Sequence, residues 1–558
     1  MKTVLPRVRR LPATLAATTA ALAAAVVGGS ITTAAAPPAS ASVVTPPAGG
    51  PAAAPSSRAS AATPSDASAG GSPVVVVGGG VLRGVGVDGT AAFRGIPYAA
   101  APTGDLRWRA PQAPASWRGV RDATTYAPGC PQAPGIAPPG TLSEDCLYLN
   151  VSTAALHTPA KRPVIVWIHG GGLTADSGSN YDGTKLAKAG AVVVTINYRL
   201  GALGFLAHPA LPAHPGGATG NYGLMDQQAA LRWVQRNIGQ FGGDPHNVTI
   251  AGESAGGLSV LAHVTSRSSK GLFQKAIVES GAFALEQESH ATAEAFGKEF
   301  ATKVGCTDQS ADCLRKVPVQ TLVNNVDNLI PGYVDGAVLK ESIGTALAAG
   351  RFNHVPVLNG SNHDEEALFT LGGHVVSRGY NIPYTTPVTP ENYEQNIATA
   401  LRITPTRAAA IAQAYPLKAF SSPDKAFGTL IGDATFACPA AQVDNWTNAR
   451  AYEFNDDTAP FLFAPAGAIQ VATHGSEMWY LFDLPNAPFP QPLNAQQTKL
   501  ADTMRADWVR FAATGSPWPA YGRNHITRSF QLPAPTVSAD FAERHHCTTF
   551  AQNLDNVK

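Results

Sequence analysis

The segment Phe241 to Gly257, FGGDPHNVTIAGESAGG, decides how the rest of the chain is read. Val248-Thr249-Ile250 predicts a short buried strand. It runs straight into Gly252-Glu253-Ser254-Ala255-Gly256, a G-x-S-x-G, and small residues then open a helix. This is the pattern of an elbow in which a serine sits on a tight strand-to-helix turn with its hydroxyl clear of the sheet. Such a turn is strained. Strand and helix come so close that positions 252 and 256 must lack a side chain. In a chain with 54 glycines a lone G-x-S-x-G carries little weight, so the reading rests on what surrounds it.

Upstream, Pro163 to Ile168 (PVIVWI) is a wholly apolar strand pattern that stops at His169-Gly170-Gly171-Gly172. Ala191 to Ile196 (AVVVTI) is a second. Apolar runs without alternation fit a parallel sheet covered on both faces. Between Leu224 and Gly239, Leu231, Val234 and Ile238 recur at helical spacing. Downstream, strands are predicted at Lys275–Val278, Val355–Leu358 and Ala451–Phe454, and a closing helix at Gln497–Thr514 before Gly515. Leu147 to Val151 adds another strand. Val74 to Val87 reads as a small β-meander at the edge, and Phe93 to Pro111 as a proline-punctuated loop. The sum is one large α/β domain, residues 73–558, with a mostly parallel central sheet flanked by helices. No internal repeat is visible.

Lys2, Arg7, Arg9 and Arg10 precede an alanine-rich apolar run that ends near Ala39-Ser40-Ala41, so residues 1–41 read as a secretory signal peptide. The run is too short and too interrupted by threonine to read as a membrane anchor. Residues 42–72, rich in alanine, proline and serine, read as a disordered linker. Removing residues 1–41 takes away four of the 40 basic residues and none of the 39 acidic ones, leaving a net charge of about −3. That balance points away from nucleic acid or other polyanions.

Six cysteines suit an oxidising compartment and allow fifteen pairings. Spacing favours Cys130–Cys146 and Cys306–Cys313, which leaves Cys438 with Cys547. That last closure contributes roughly 4–5 kcal/mol on a chain-entropy account. No spacing of cysteine or histidine points to zinc.

Acyl transfer by a serine needs a nucleophile, a base, a carboxylate to orient the base, and donors for the developing oxyanion. Ser254 is the candidate nucleophile. The donors are the N–H of Ala255 and those of Gly171 and Gly172, where consecutive glycines let backbone approach a substrate. Gly78-Gly79-Gly80, by contrast, reads as a plain turn. Among fourteen histidines, His474 lies in a glycine-bearing loop, beyond the last central strand. His169 reads as structural, and His545-His546 as part of a charged C-terminal stretch. Asp364, Glu365 and Glu366 are consecutive, and any one of them could be the acid. The order serine, acid, histidine is that of α/β-hydrolases.

These motifs give the chain a resemblance to the type-B carboxylesterases, which include bacterial para-nitrobenzyl-type esterases, animal carboxylesterases, fungal lipases and cholinesterases. Phe241–Gly256 fits the family's serine signature, and Glu144-Asp145-Cys146-Leu147-Tyr148-Leu149-Asn150-Val151 fits its second. Blocks at Phe93 (FRGIPYA), Asn197 (NYRLGALGFL) and Asn221 (NYGLMDQQAALRWVQRNI) carry the likeness from about Val74 to about Phe550. The resemblance implies an α/β-hydrolase fold, Ser254 as nucleophile, His474 as base and Glu365 as acid. It also implies the same three disulfides and no metal or organic cofactor. Glu366 stands where the family has glycine. Phe283, Leu368 and Phe369 are placed by it in the substrate pocket.

The expected activity is hydrolysis of a small-molecule or lipid ester by a secreted enzyme. A lipase or sterol esterase for long acyl chains is the alternative within the class. A non-catalytic adhesion module of the same fold would have lost part of the triad, and this chain keeps all three members. Cholinesterases hold a cationic ligand on a tryptophan inside the first disulfide loop. Here Cys130 to Cys146 encloses no aromatic residue, which disfavours choline esters.

Overall fold

The computed structural model describes residues 72–554 apart from 136, 138–139, 160, 215–216, 326–331, 371–373, 378–379, 462–470 and the side chains of 380–381. The expectations for the N-terminal 71 residues lie outside this range. The compact unit described is Pro73–Lys558.

Its centre is an 11-stranded sheet. In chain order the strands are β1 (Val85–Val87), β2 (Thr90–Pro97), β3 (Tyr148–Thr153), β4 (Arg162–Ile168), β5 (Val192–Ile196), β6 (Gly243–Glu253), β7 (Lys275–Glu279), β8 (Val357–Asn362), β9 (Arg450–Phe454), β10 (Thr527–Phe530) and β11 (Thr536–Ser538). Their order across the sheet is β11-β10-β9-β8-β7-β6-β4-β5-β3-β2-β1. Every pairing from β10 to β5 is parallel, and the two ends are antiparallel.

The apolar strands are buried on both faces, as their composition requires. Along β4, Val164, Val166 and Ile168 enter one core, while Ile165 and Trp167 enter the other. The first core is roofed by helix α1 (Tyr222–Asn237) through Leu224, Leu231 and Val234, and by α2 (Ala255–Thr265) through Leu258 and Leu261. The second is roofed by α3 (Ala495–Thr514) through Leu500, Met504, Trp508 and Phe511. Helix α3 starts at an Asn494–Gln497 capping box and stops at Gly515, whose φ of 74° favours glycine. A third core, with Tyr393, Ile397 and Phe427, packs against Phe550 near the C-terminus. The disulfides join Cys130 to Cys146, Cys306 to Cys313 and Cys438 to Cys547.

Two local expectations need correction. Phe93–Pro97 is strand, not loop: Phe93 pairs with Val151 and Ile96 with Leu149 across a bulge. Gly95, at φ 66°, takes up the bulge, and proline falls only at the strand's end, where a lost N–H is tolerated. Val74–Val87 is not one meander either. Val74–Val77 and Gly80–Arg83 form a separate sheet with Val120–Asp122, and only β1 joins the main sheet. The break falls at Gly84, where a Cβ would lie 2.5 Å from Ala92 O.

Candidate active site

The elbow is built by close backbone approach. Ser254 has φ 54° and ψ −123°, a conformation that costs an L residue about 1–3 kcal/mol. A Cβ on Gly256 would stand 2.0 Å from Ile168 O, and one on Gly252 would stand 2.5 Å from Gly256 C. Strand β4, strand β6 and helix α2 therefore meet with no room for a side chain. Ser254 N donates to Glu279 O on β7 at 2.8 Å, and Leu258 N to Ser254 O at 2.9 Å, which anchors the turn from both sides.

The glycine loop leaves the C-terminal end of β4 beside this turn. Gly171 and Gly172 have φ of 80° and 63°, and a Cβ on Gly171 would meet Ala175 O at 2.4 Å. Thr174 N and Ala175 N both donate to Gly171 O, fixing the loop. Among the described residues, the N–H groups of Gly171, Gly172 and Ala255 have no protein acceptor.

On the opposite side, His474 Nδ1 donates to Glu365 Oε2 at 2.6 Å. Glu365 Oε1 accepts from Ser280 Oγ at 2.6 Å and Asn362 N at 2.8 Å, so its orientation is over-determined. Its two neighbours point elsewhere. Asp364 pairs with Lys425. Glu366 is fully buried with the Val376 N–H as a polar neighbour, and burial, then repulsion from Glu365, pushes its carboxyl well above the usual range. The turn after β8 thus selects one carboxylate of three for the imidazole.

Three further carboxyls crowd this place. Glu253, immediately before Ser254, brings Oε1 within 3.2 Å of His474 Nε2. Burial, then the charges of Glu365, Glu279 and Asp176, drives its pKa well above normal, so burial favours the protonated carboxyl at Glu253. Glu477 accepts from Asn362 Nδ2 and is raised the same way, by burial first and then by Glu253. Glu279 accepts from Trp508 Nε1 at 2.8 Å, and burial pushes it up to about 8. Sequence reasoning assigned none of these a role, although Glu253 lies inside the G-x-S-x-G and Glu477 three residues after His474.

Gly171, Gly172, Ser254, His474, Leu368 and Phe369 line one cavity of about 240 Å3. Met478, Leu484 and Pro488 extend its apolar wall, and Asn180 and Asn486 its polar one. Phe283 is not part of that lining. It borders a separate cavity of about 30 Å3, and its ring lies 5.7 Å from that of Phe436, which is 5.0 Å from that of His474. His169 is buried and stacked on Tyr198, as a structural residue is.

A mostly parallel sheet with a strained serine turn at the C-terminal end of a central strand defines an α/β-hydrolase. The sequence model of the carboxylesterase family matches residues 71–540. The chain belongs to that family, and it is a carboxylic-ester hydrolase. It is 35% identical over 484 residues to a fumonisin B1 esterase of Sphingopyxis macrogoltabida, covering 80% of this chain and 84% of that one. It is 34% identical to the para-nitrobenzyl esterase of Bacillus subtilis, covering 79% and 91%. A solved PNB esterase structure superposes with a TM-score of 0.71 at 31% identity, over 86% of this chain and 99% of that one. Among the described residues no helix is long and apolar enough to cross a membrane.

Proposed function

We propose that ester cleavage runs through an acyl-enzyme on Ser254. Ser254 Oγ attacks the ester carbonyl while His474 Nε2 takes its proton. Glu365 holds Nδ1–H and stabilises the imidazolium that forms. The oxyanion is received by the N–H groups of Gly171, Gly172 and Ala255, each lowering the barrier by about 3 kcal/mol. His474 then protonates the leaving alcohol, and water releases the acyl group by the reverse sequence. The observation that carries this reading is the 2.6 Å bond from His474 Nδ1 to Glu365. In a neutral imidazole with Nδ1–H so engaged, Nε2 is the acceptor, and His474 shares its cavity with Ser254. Leu368 and Phe369 on the cavity wall offer an apolar seat for acyl or alcohol groups. Export is supported by three disulfides and by the basic-then-apolar start of the chain.

The test is hydrolysis of p-nitrophenyl esters from acetate to palmitate by the wild-type protein and Ser254→Ala. The variant is expected to lose about five orders of magnitude in kcat while staying folded. Undiminished turnover would sink the mechanism. A rate that climbs through the longest acyl chains would favour a lipase instead.

A further inference from the structure

Away from the cavity, a second buried charge cluster joins the C-terminal segment to the turn that carries Glu365. His545, only 3% exposed, places Nδ1 at 2.5 Å from Asp433 Oδ1 and Nε2 at 2.9 Å from Glu453 Oε1. Carboxylates only accept, so a ring bonded to one at each nitrogen is an imidazolium. Glu453, on β9, is itself fully buried. Its Oε1 also accepts from His363 Nδ1 at 2.8 Å, and its Oε2 from Arg544 Nη2 at 2.8 Å.

His363 opens the Asn362–Glu365 turn, and its N–H donates to Phe454 O at 3.0 Å. One carboxylate therefore ties three pieces of chain together: the acid turn, the central sheet and the C-terminus. The ligand types of His363, Glu453 and His545 would suit a cation. Arg544 already pairs with Glu453, and His545 has both nitrogens engaged, so the cluster reads as a clamp and not a metal site.

We propose that His545 is a positioning residue for the acid–base pair, acting through Glu453 and His363 on the turn that aims Glu365. The inference rests on the reading of Glu365 as the catalytic acid. Its geometry is reinforced on every side. Phe541 packs on the His545 ring at 4.5 Å, and Tyr415 OH donates to Asp433 Oδ2 at 2.6 Å. Cys438, of the Cys438–Cys547 disulfide, contacts His545 O. The charged groups facing the cluster are Asp433, Glu453, His363 and Arg544. Asp540 is bound to Arg544, and Asp364 with its Lys425 lies next to His363. The paired acids raise His545 to about 10 against its burial, so the clamp stays charged through neutral pH.

The experiment compares wild type, His545→Gln, His363→Ala and the double variant, with Ser254→Ala alongside. kcat and KM for p-nitrophenyl butyrate are measured at a temperature where thermal melts show each protein folded. Each single variant is expected to lose roughly tenfold or more in kcat with KM little changed, because misaiming the acid costs chemistry rather than binding. The double variant is expected to lose no more than the worse single one, since both act through one carboxylate. Losses that multiply, or an unchanged kcat in His363→Ala, would overturn the proposal. Should His545→Gln not fold, His363→Ala decides alone, because the His363 side chain is 35% exposed and lies in none of the hydrophobic cores. An active Ser254→Ala would instead overturn the serine mechanism, so the two failures are told apart.

Discussion

Two of the molecule's buried groups of carboxylates are neutralised in opposite ways. Around Ser254, Glu253, Glu279 and Glu477 meet no lysine or arginine among the described residues, and burial raises all three. At the C-terminal clamp, Glu453 is pulled well below the usual range by His363, His545 and Arg544, against its burial. A buried carboxyl without a cation keeps its proton; one with cations keeps its charge. Beside the first group, Glu365 is the carboxyl bonded to His474 Nδ1. The second makes a rigid joint from charges that would be costly alone.

The contrast can be broken at either end. The largest expected effect is Glu365→Gln, which removes the charge facing His474 and is expected to cost about 10^3 to 10^4 in kcat with folding intact. Asp364→Asn, one residue away, should change kcat only a few-fold. Equal losses at the two positions would put the acid elsewhere. Next in size, Glu453→Ala removes the buried acceptor shared by His363 Nδ1, His545 Nε2 and Arg544 Nη2. It is expected to lower stability by about 3–5 kcal/mol in urea unfolding. The proton-held group should behave otherwise. Glu253→Gln imitates the neutral acid already present, so stability and neutral-pH kcat should stay within a few-fold of wild type.

The smallest effects are in the pH dependence of stability. Glu279 has a folded pKa of about 8 against an ordinary 4.5, so the folded state binds the extra proton between those values. Its contribution is present below pH 4.5 and lost as pH rises towards 8. His545, raised from 6.5 to about 10, likewise stabilises fully below 6.5 and loses that contribution as pH rises through 10. Glu279→Gln should therefore flatten the stability curve mainly between pH 4.5 and 8, and His545→Gln between 6.5 and 10. Chemical denaturation across that range separates the windows. A single shared window would show the clusters to be electrostatically one.

Much of the sheet was legible because its rules are local. The runs at Pro163 and Ala191 state their double burial in their composition. Leu231, Val234 and Ile238 state a helix by spacing. Where partner choice mattered, local reading fell short. Phe93–Pro97 looked like a loop because its glycine and proline are visible, while the strand that pairs with it begins at Tyr148. Val74–Val87 looked like one unit, yet its second strand, Gly80–Arg83, pairs with Val120–Asp122. Phe283, placed by resemblance near the substrate, lines the smaller cavity, with its ring against Phe436.

The candidate site divides along the same line. Ser254 and its glycines could be read from the chain because the elbow's motif is contiguous, even though part of the missing room for a Cβ, at Gly256, is set by Ile168 on β4. The three consecutive acids Asp364, Glu365 and Glu366 could not be ranked from local pattern. Resemblance named Glu365, and the physical selection comes from Ser280, Asn362 and His474 arriving from three parts of the fold. Charge state is more distant still from sequence. Whether Glu253 or Glu453 keeps a proton depends on how much water is excluded and which cations lie within a few ångströms, and only the folded packing sets either.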